Sequence, residues 1–452
     1  MSTPSTVAVI LAAGKGTRMK SSRVKALFPL CGKPLAAYPI RAAREAGFER
    51  VVLVVGHQAE AVKAEIGDGV EYALQQPQQG TGHAVMVTEE VLKGFTGTMF
   101  VHVVDAPLLP AEMIKTLLQT HRESGNAATL LTFAPKDPAH YGRIVRNADG
   151  SVARIVEYRD ATPEIRAIGE VNSGTYCFEA PLIFEVLHEI TPNNDQGEYY
   201  LTDVIERLIA RGARVGAVTA PDERMVAGIN DRVQLAEAEA NLRDDIRRRH
   251  LLNGVTLLDP ASTFIDEDVE IGQDTIIHPF TLIYGSTKIG TDCVIGPSCQ
   301  LFDAAVEDHC EVISSRVEKS VIRSTAKVGP FSRLRPGCDI GPGVIIGNYS
   351  ELKNTKMGRN SGAHHVGYLG DTTVGEGVNI GAGTITCNFD GKKKHPTTIG
   401  DRAFIGSGNL LVAPVEIGDD ALTGAGSVVT HDVPAGKVAF GVPAKVVKDR
   451  EK

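Results

Sequence analysis

The residues of this 452-residue chain best equipped for chemistry fall into a few clusters. Leu11-Ala12-Ala13-Gly14-Lys15-Gly16-Thr17-Arg18-Met19 sets small residues beside two cations, and Lys25 adds a third. Small residues let backbone N–H groups close on an anion, so this is the outline of a phosphate site. Met19 stands where a dinucleotide fingerprint needs its third glycine, and no Gly-Lys-Ser/Thr follows at P-loop spacing. Asp105 follows the apolar run Met99 to Val104, and a carboxylate at a strand end suits a metal ligand. In the second half, Arg333 to Gly337, Asn348 to Lys353, Gly362-Ala363-His364-His365, Tyr368 to Asp371, Asn379 to Thr384 and Cys387 to Lys392 gather cations, amides and two adjacent histidines. Neighbouring side chains of an extended chain point opposite ways, which favours a single general base over a two-histidine metal site. Imidazole titrates near neutral pH and can take a proton from an amine attacking a thioester. A carboxylate such as Glu351 could orient the ring.

These clusters need elements to hold them. Val7 to Leu11, Val51 to Val55 and Met99 to Val104 read as buried strands, and Leu35 to Ala46 as a helix ended by Gly47. Continuous apolar strands separated by helices predict a mostly parallel sheet covered on both faces. Asn230 to Arg249 reads as a long polar connecting helix with Val233, Leu235, Ala238 and Leu242 as its apolar stripe, and the Asp244–Arg249 charge run as a solvated face. Beyond about residue 252 aliphatic residues, with Thr423 in one place, recur every six positions: 271, 277, 283, 289, 295 and 301, then 328, 334, 340, 346 and 352, then 399, 405, 411, 417, 423 and 429. A sustained period of six is the hexapeptide signature of a parallel β-helix, each unit giving one flat face and one corner. The period slips at 302–327, 353–373 and 387–398, where insertions should form loops on a binding face. The expected boundaries are 1–228, a linker helix over 229–250, and 251–452.

The net charge of −8, with no basic tail or stripe, argues against nucleic acid or an anionic membrane as partner. Hydrophobic residues at 42% and charged residues at 23% are ordinary for a globular protein, and Gly is abundant at 47 residues. Seven dispersed cysteines with no Cys-x-x-Cys pair read as reduced, buried thiols. The first apolar run, Val7 to Ala13, has no basic residue before it and enters a glycine loop, unlike a signal peptide. No run approaches a membrane span. The expected location is cytoplasmic.

The motif ending in Lys25 resembles the opening signature of the sugar-1-phosphate nucleotidylyltransferases. Gln75 with Gln79-Gly80-Thr81-Gly82-His83-Ala84, Asp105-Ala106-Pro107-Leu108, Tyr141-Gly142-Arg143-Ile144, Val156-Glu157, Asn172-Ser173-Gly174 and Gly228-Ile229-Asn230 match that family's elements in order. With the hexapeptide half attached, nearly the whole chain resembles the bifunctional N-acetylglucosamine-1-phosphate uridylyltransferase/glucosamine-1-phosphate acetyltransferases. The resemblance implies an α/β nucleotidyltransferase with a Rossmann-like, mostly parallel sheet, followed by a left-handed parallel β-helix. It implies that Leu11, Ala12, Ala13, Gly14, Gln75, Gly80 and Thr81 hold UTP, that Gly142, Glu157 and Asn172 hold the sugar, and that Asp105 and Asn230 bind Mg²⁺. Lys25 and Arg18 would neutralise phosphate charge. In the β-helix, His365 matches the catalytic base, Arg335, Lys353, Tyr368 and Asn379 the glucosamine-1-phosphate ligands, and Asn388, Phe389, Ser407 and Ala425 the acetyl-CoA contacts. Homotrimers are implied as well. The chain departs from the pattern at Val24, where Pro is usual, at Val103-Val104 for Tyr-Gly, at Phe389 for Tyr, and at Gly441-Val442 for an Arg contact to coenzyme A. Two other readings remain: a single-activity nucleotidylyltransferase with an assembly or regulatory β-helix, and a non-catalytic regulatory subunit. His365 with Arg335 and Lys353 argues against the first; Lys25, Asp105 and Asn230 argue against the second.

Overall fold

The computed structural model describes residues 5–138 and 140–450. The chain divides into two compact units, one reaching to Leu242 and the other starting at Arg243. Among the described residues no helix is long and apolar enough to cross a membrane.

In the first unit, strands β1 (Thr6–Leu11), β2 (Arg50–Val55), β3 (Glu71–Leu74), β4 (Thr98–Val103), β5 (Ala128–Phe133), β6 (Val171–Glu179) and β7 (Val215–Thr219) lie in the order β7-β5-β6-β4-β1-β2-β3. Neighbours are parallel except β6, which runs antiparallel to both β4 and β5. The strands are apolar throughout because each face meets its own core. Ala8, Ile10, Leu53 and Phe100 face one cluster, and Val7, Val9, Val52 and Val101 the other. β1 and β4 end together, with Leu11 opposite Val103. The loops leaving their carboxyl ends therefore start side by side, the usual position of a ligand crevice in such a sheet. A hairpin of Arg143–Arg146 and Val152–Val156 joins β6 through Arg143 opposite Val171, which brings the chain on either side of the hairpin to that strand.

The second unit is a left-handed parallel β-helix of hexapeptide repeats. Its short strands form stacks of twelve, ten and nine, parallel except for the terminal strand Ala444–Asp449, which folds back on Lys437–Gly441 and closes the end. Ile277, Ile295, Val312, Val328, Ile346, Ala363, Ile380, Ile405 and Thr423 form one continuous inward column. All the in-phase positions read from the sequence are buried except Ile271, which is half-buried at the start of its strand stack. Two of the three expected insertions are not insertions. Ile295 pairs with Val312 and Val312 with Val328, seventeen and sixteen residues on, and Ile346 pairs with Ala363 and Ala363 with Ile380 at seventeen. These coils are one or two residues short of three hexapeptides, so the phase slips while the ladder continues. Only the third gap holds extra chain: Ile380 pairs with Ile405, and the excess forms a loop closed by a bridge between Phe389 and Lys394.

The long helix spans Arg232–Leu252, and the division between units falls within it. In the first unit Leu235, Ala238 and Leu242 pack on the core, but Val233 is exposed and does not join the stripe. In the second unit the basic run is not merely solvated. Arg247 donates to the carbonyls of Pro260 and Thr263, Arg249 pairs with Glu267, and the Arg243 guanidinium lies over the Phe264 ring. Six of the seven cysteines are buried, and Cys387 is half-buried.

Candidate functional site

A cleft of about 480 Å³ opens at the carboxyl ends of β1 and β4. It is lined by the whole Leu11–Arg18 loop, Lys25, Gln75, Gly80, Thr81, Asp105 and Asn230, so every nucleotide, metal and cationic residue expected from the sequence comes together there. Lys25 is the centre of the arrangement. Its Nζ lies 2.6 Å from Asp105 Oδ2 and donates to Asn230 Oδ1 at 3.1 Å. Arg18 Nη2 donates to the same Asn230 oxygen at 2.9 Å. Burial lowers the Lys25 pKa below its ordinary value, and the Asp105 ion pair opposes that shift. Asp105 and Asn230 are distant in sequence but locked together, because the Ile229 N–H donates to the Asp105 carbonyl at 2.7 Å.

Glycines make the close approaches possible. Gly16 is left-handed, and a Cβ there would lie 2.8 Å from the Lys25 Cβ. Gly80 has φ of 101°, and a Cβ there would lie 2.6 Å from the Tyr199 carbonyl oxygen. Gln75, almost fully buried, donates to the Gly80 carbonyl at 2.8 Å. The Gln79–Thr81 turn is held from outside by Tyr199 N–H to the Gln79 carbonyl and by Leu201 N–H to Thr81 Oγ1. Gln78 and Glu198 also line the cleft and fall outside the motifs read above; the Glu198 Cβ would lie 2.9 Å from a Cβ at Gly80, a contact between segments remote in sequence.

Gly142, Glu157 and Asn172 do not line this cleft but form a group of their own beside β6. Asn172 N–H donates to the Gly142 carbonyl at 2.9 Å, and the Gly142 Cα faces the Glu157 carboxylate closely enough that a Cβ would be 3.4 Å from it. Asn172 Nδ2 donates to Tyr176 OH at 2.6 Å. Burial raises the Glu157 pKa, a hydrogen bond from Thr202 opposing it. The departures from the family pattern have local explanations. Val24 keeps an N–H that proline would lack, and donates it to Gln58 Oε1 at 3.2 Å. Val104 is buried in the core, and its N–H donates to the Leu11 carbonyl at 3.0 Å. Val103 lies against Gly174, whose missing Cβ would be 3.3 Å from a Val103 methyl.

The β-helix residues are arranged differently, as a line crossing successive coils. Glu351 is opposite Tyr368 in register, and Lys353 is opposite Gly370. Arg335 Nη1 meets Glu351 Oε1 at 3.0 Å. That pairing corrects the expectation that Glu351 orients His365: the ring's Nδ1 instead lies 3.4 Å from Asn348 Oδ1. Lys353 is lowered in pKa by contact with Lys394, which the sequence reading missed, and Arg335 adds to the effect. Three cations side by side make a patch suited to an anion. Asn388 is buried and donates to Asp371 Oδ2 at 2.6 Å, whereas Phe389 is exposed in the inserted loop. Asn379 stands one coil on from Gly362, opposite Phe404. Ser407 and Ala425 follow at the same corner one and two coils later, Gly426 N–H donating to the Ser407 carbonyl at 2.7 Å. Val442 is exposed near the terminal strands. Among the described residues no group of three or more His, Cys, Asp or Glu is placed to hold a metal. Asp105 and Asn230 both line the cleft, and their side-chain oxygens could serve as ligands to a metal ion there.

Residues 7–227 match the family described as nucleotidyl transferase, and residues 268–302, 319–354 and 396–431 match the bacterial transferase hexapeptide (six repeats). Over 443 residues the chain is 48% identical to a bifunctional protein GlmU of Acetivibrio thermocellus, covering 98% of this chain and 96% of that protein. It is 47% identical over 442 residues to the bifunctional protein GlmU of a Geobacillus species, again covering 98% and 96%. The corresponding protein of Heliobacterium modesticaldum is 48% identical over 432 residues, covering 96% and 94%. Each half of the molecule thus matches its own transferase family, and these relatives align with nearly the whole chain. The chain belongs to the bifunctional GlmU family, joining a nucleotidyltransferase unit to a hexapeptide transferase unit.

Proposed function

We propose that the β-helix unit transfers acetyl from acetyl-CoA to glucosamine-1-phosphate, and that the nucleotidyltransferase unit then joins the product to UTP, giving UDP-N-acetylglucosamine. In the first reaction the substrate amine attacks the thioester carbonyl carbon. The C–N bond forms, the C–S bond breaks, His365 takes the amine proton and coenzyme A leaves. Arg335, Lys353 and Lys394 hold the sugar phosphate, Tyr368 and Asn379 the sugar, and Asn388, Phe389, Ser407 and Ala425 the acetyl-CoA. In the second reaction a phosphate oxygen of N-acetylglucosamine-1-phosphate attacks the α-phosphorus of UTP in line. The P–O bond to the β-phosphate breaks and pyrophosphate leaves. Leu11 to Gly14, Gln75, Gly80 and Thr81 hold the nucleotide, and Gly142, Glu157 and Asn172 the sugar. Asp105 and Asn230 would hold Mg²⁺, which when bound supplies charge neutralisation for the phosphates. Lys25 and Arg18 direct their charges to the same point.

The observation that carries this reading is the convergence of Lys25, Asp105, Asn230 and Arg18 within hydrogen-bond distance of one another beside the glycine loop. The assignment divides the chain into 1–228, a linker over 229–250 and 251–452, in a cytoplasmic homotrimer without nucleic-acid or membrane partners. The test is one incubation of purified protein with glucosamine-1-phosphate, acetyl-CoA, UTP and Mg²⁺, with products identified by mass spectrometry. UDP-N-acetylglucosamine is expected. Accumulation of N-acetylglucosamine-1-phosphate alone would refute the role given to the first unit.

A further inference from the structure

Central strand β4 carries a polar side chain that the proposed chemistry does not use. His102 is 1% exposed, with its ring stacked 5.8 Å from that of Phe100. A buried imidazole in such a place is costly unless both nitrogens are satisfied. They are: Nε2 lies 2.9 Å from the Ala106 carbonyl oxygen, and Nδ1 lies 2.7 Å from Thr175 Oγ1. A carbonyl oxygen only accepts, so Nε2 carries the hydrogen. In the neutral ring Nδ1 then accepts from the Thr175 hydroxyl. The tautomer is set by its partners.

Both partners sit next to proposed functional groups. Ala106 follows Asp105, and its carbonyl belongs to the turn on which that carboxylate is mounted. Thr175 ends an irregularity in β6: the pairing with β5 shifts between Asn172 and Thr175, with Gly174 left-handed at φ of 77°. Such bulges re-aim the side chains beside them, and here the side chain is that of Asn172. One ring therefore ties the Asp105 turn to the bulge that presents Asn172, across the boundary between β4 and β6.

We propose that His102 is a positioning residue for uridylyl transfer: its two hydrogen bonds fix the spacing between the Asp105 turn and the Asn172 bulge, so that nucleotide-bound metal and sugar phosphate meet in line. This rests on the assignment of Asp105 and Asn172 given above. The chain's own groups make the link, and neither bond requires a ligand to be present.

The test uses the full-length protein with His102→Leu, His102→Gln and Thr175→Val. Gln can donate from its amide nitrogen to Ala106 and accept through its oxygen, whereas Leu can do neither. His102→Leu is expected to raise the KM for N-acetylglucosamine-1-phosphate and to weaken Mn²⁺ binding in the presence of UTP, followed by electron paramagnetic resonance, each by about tenfold or more. Acetyl transfer should be unchanged, and His102→Gln should recover part of the loss. Thr175→Val, which releases only the bulge, should raise the sugar-phosphate KM more than it weakens Mn²⁺ binding. Met99→Ala, at a position buried on the opposite face of β4, controls for lost core stability and should leave both readouts near wild type at matched Tm. Wild-type KM and Mn²⁺ affinity in His102→Leu would overturn the inference while leaving the proposed function intact. Failure of the wild type itself to bind Mn²⁺ with UTP would instead overturn the underlying assignment.

Discussion

The two units gather their polar groups by opposite means. In the first, residues from remote parts of the chain converge on one buried ammonium, Lys25, behind a glycine loop. In the second, residues recur once per coil and stand in a line on the outside of a solenoid, with His365 exposed and Asn348 within reach of its ring. Convergence makes the first site depend on packing: Gly16 and Gly80 must lack a Cβ, and Tyr199 and Leu201 must hold the Gln79–Thr81 turn. Periodicity makes the second site depend on register. Each coil places one residue over the last, and the backbone ladder, not side-chain packing, sets the spacing.

The sharpest break of this contrast is a substitution that silences one unit alone. His365→Ala should reduce acetyl transfer by about 10²–10⁴-fold, the worth of a positioned general base, and leave pyrophosphate release from UTP unchanged. Rates of coenzyme A release and of pyrophosphate release measure the two separately. Loss of both together would mean that the units are not chemically independent. Asp105→Ala should do the reverse, cutting pyrophosphate release by at least about a hundredfold while coenzyme A release continues. Wild-type pyrophosphate release would remove Asp105 from the metal set.

A smaller effect concerns the buried cation. Because burial holds the Lys25 pKa below 10.5, uridylyl transfer should decline as pH rises through a value beneath the ordinary lysine range, when the ammonium loses its proton. Lys25→Arg keeps its charge at every accessible pH and should abolish that alkaline limb, whatever its effect on the plateau. An identical limb in Lys25→Arg would assign the ionisation to another group. The smallest effect is expected at Val24. Its φ of −63° already suits proline, and the change would remove the N–H bond to Gln58. Val24→Pro should therefore shift stability by no more than about 1 kcal/mol in chemical denaturation, the gain in chain stiffness offsetting the lost bond.

The same contrast explains what could be read from the amino acids. The period of six placed Ile277, Ile295, Ile346 and Ile405 correctly as inward residues, because a solenoid core repeats with the chain. It missed Val312, which lies between coils of seventeen and sixteen residues, since a shorter coil breaks the count without breaking the ladder. In the first unit the glycine loop, Asp105 and Asn230 were legible as motifs. Gln58, Glu198 and His102 were not, because each acts through a partner fixed only by folding: the Val24 N–H, the Gly80 turn, and the Ala106 carbonyl with Thr175. Glu351 was misassigned for a related reason. The carboxylate is near His365 in sequence, but the ladder sets Glu351 opposite Arg333, one coil away, and from there its carboxylate meets Arg335.

The central claim is that one chain holds two separable sites linked only by a diffusible intermediate. The most direct test mixes Asp105→Ala and His365→Ala proteins, each inactive alone for the complete conversion, with glucosamine-1-phosphate, acetyl-CoA, UTP and Mg²⁺. UDP-N-acetylglucosamine should form in the mixture, through N-acetylglucosamine-1-phosphate released by the first protein and taken up by the second. A mixture that makes no nucleotide sugar, although each variant retains its remaining half-reaction, would contradict the account.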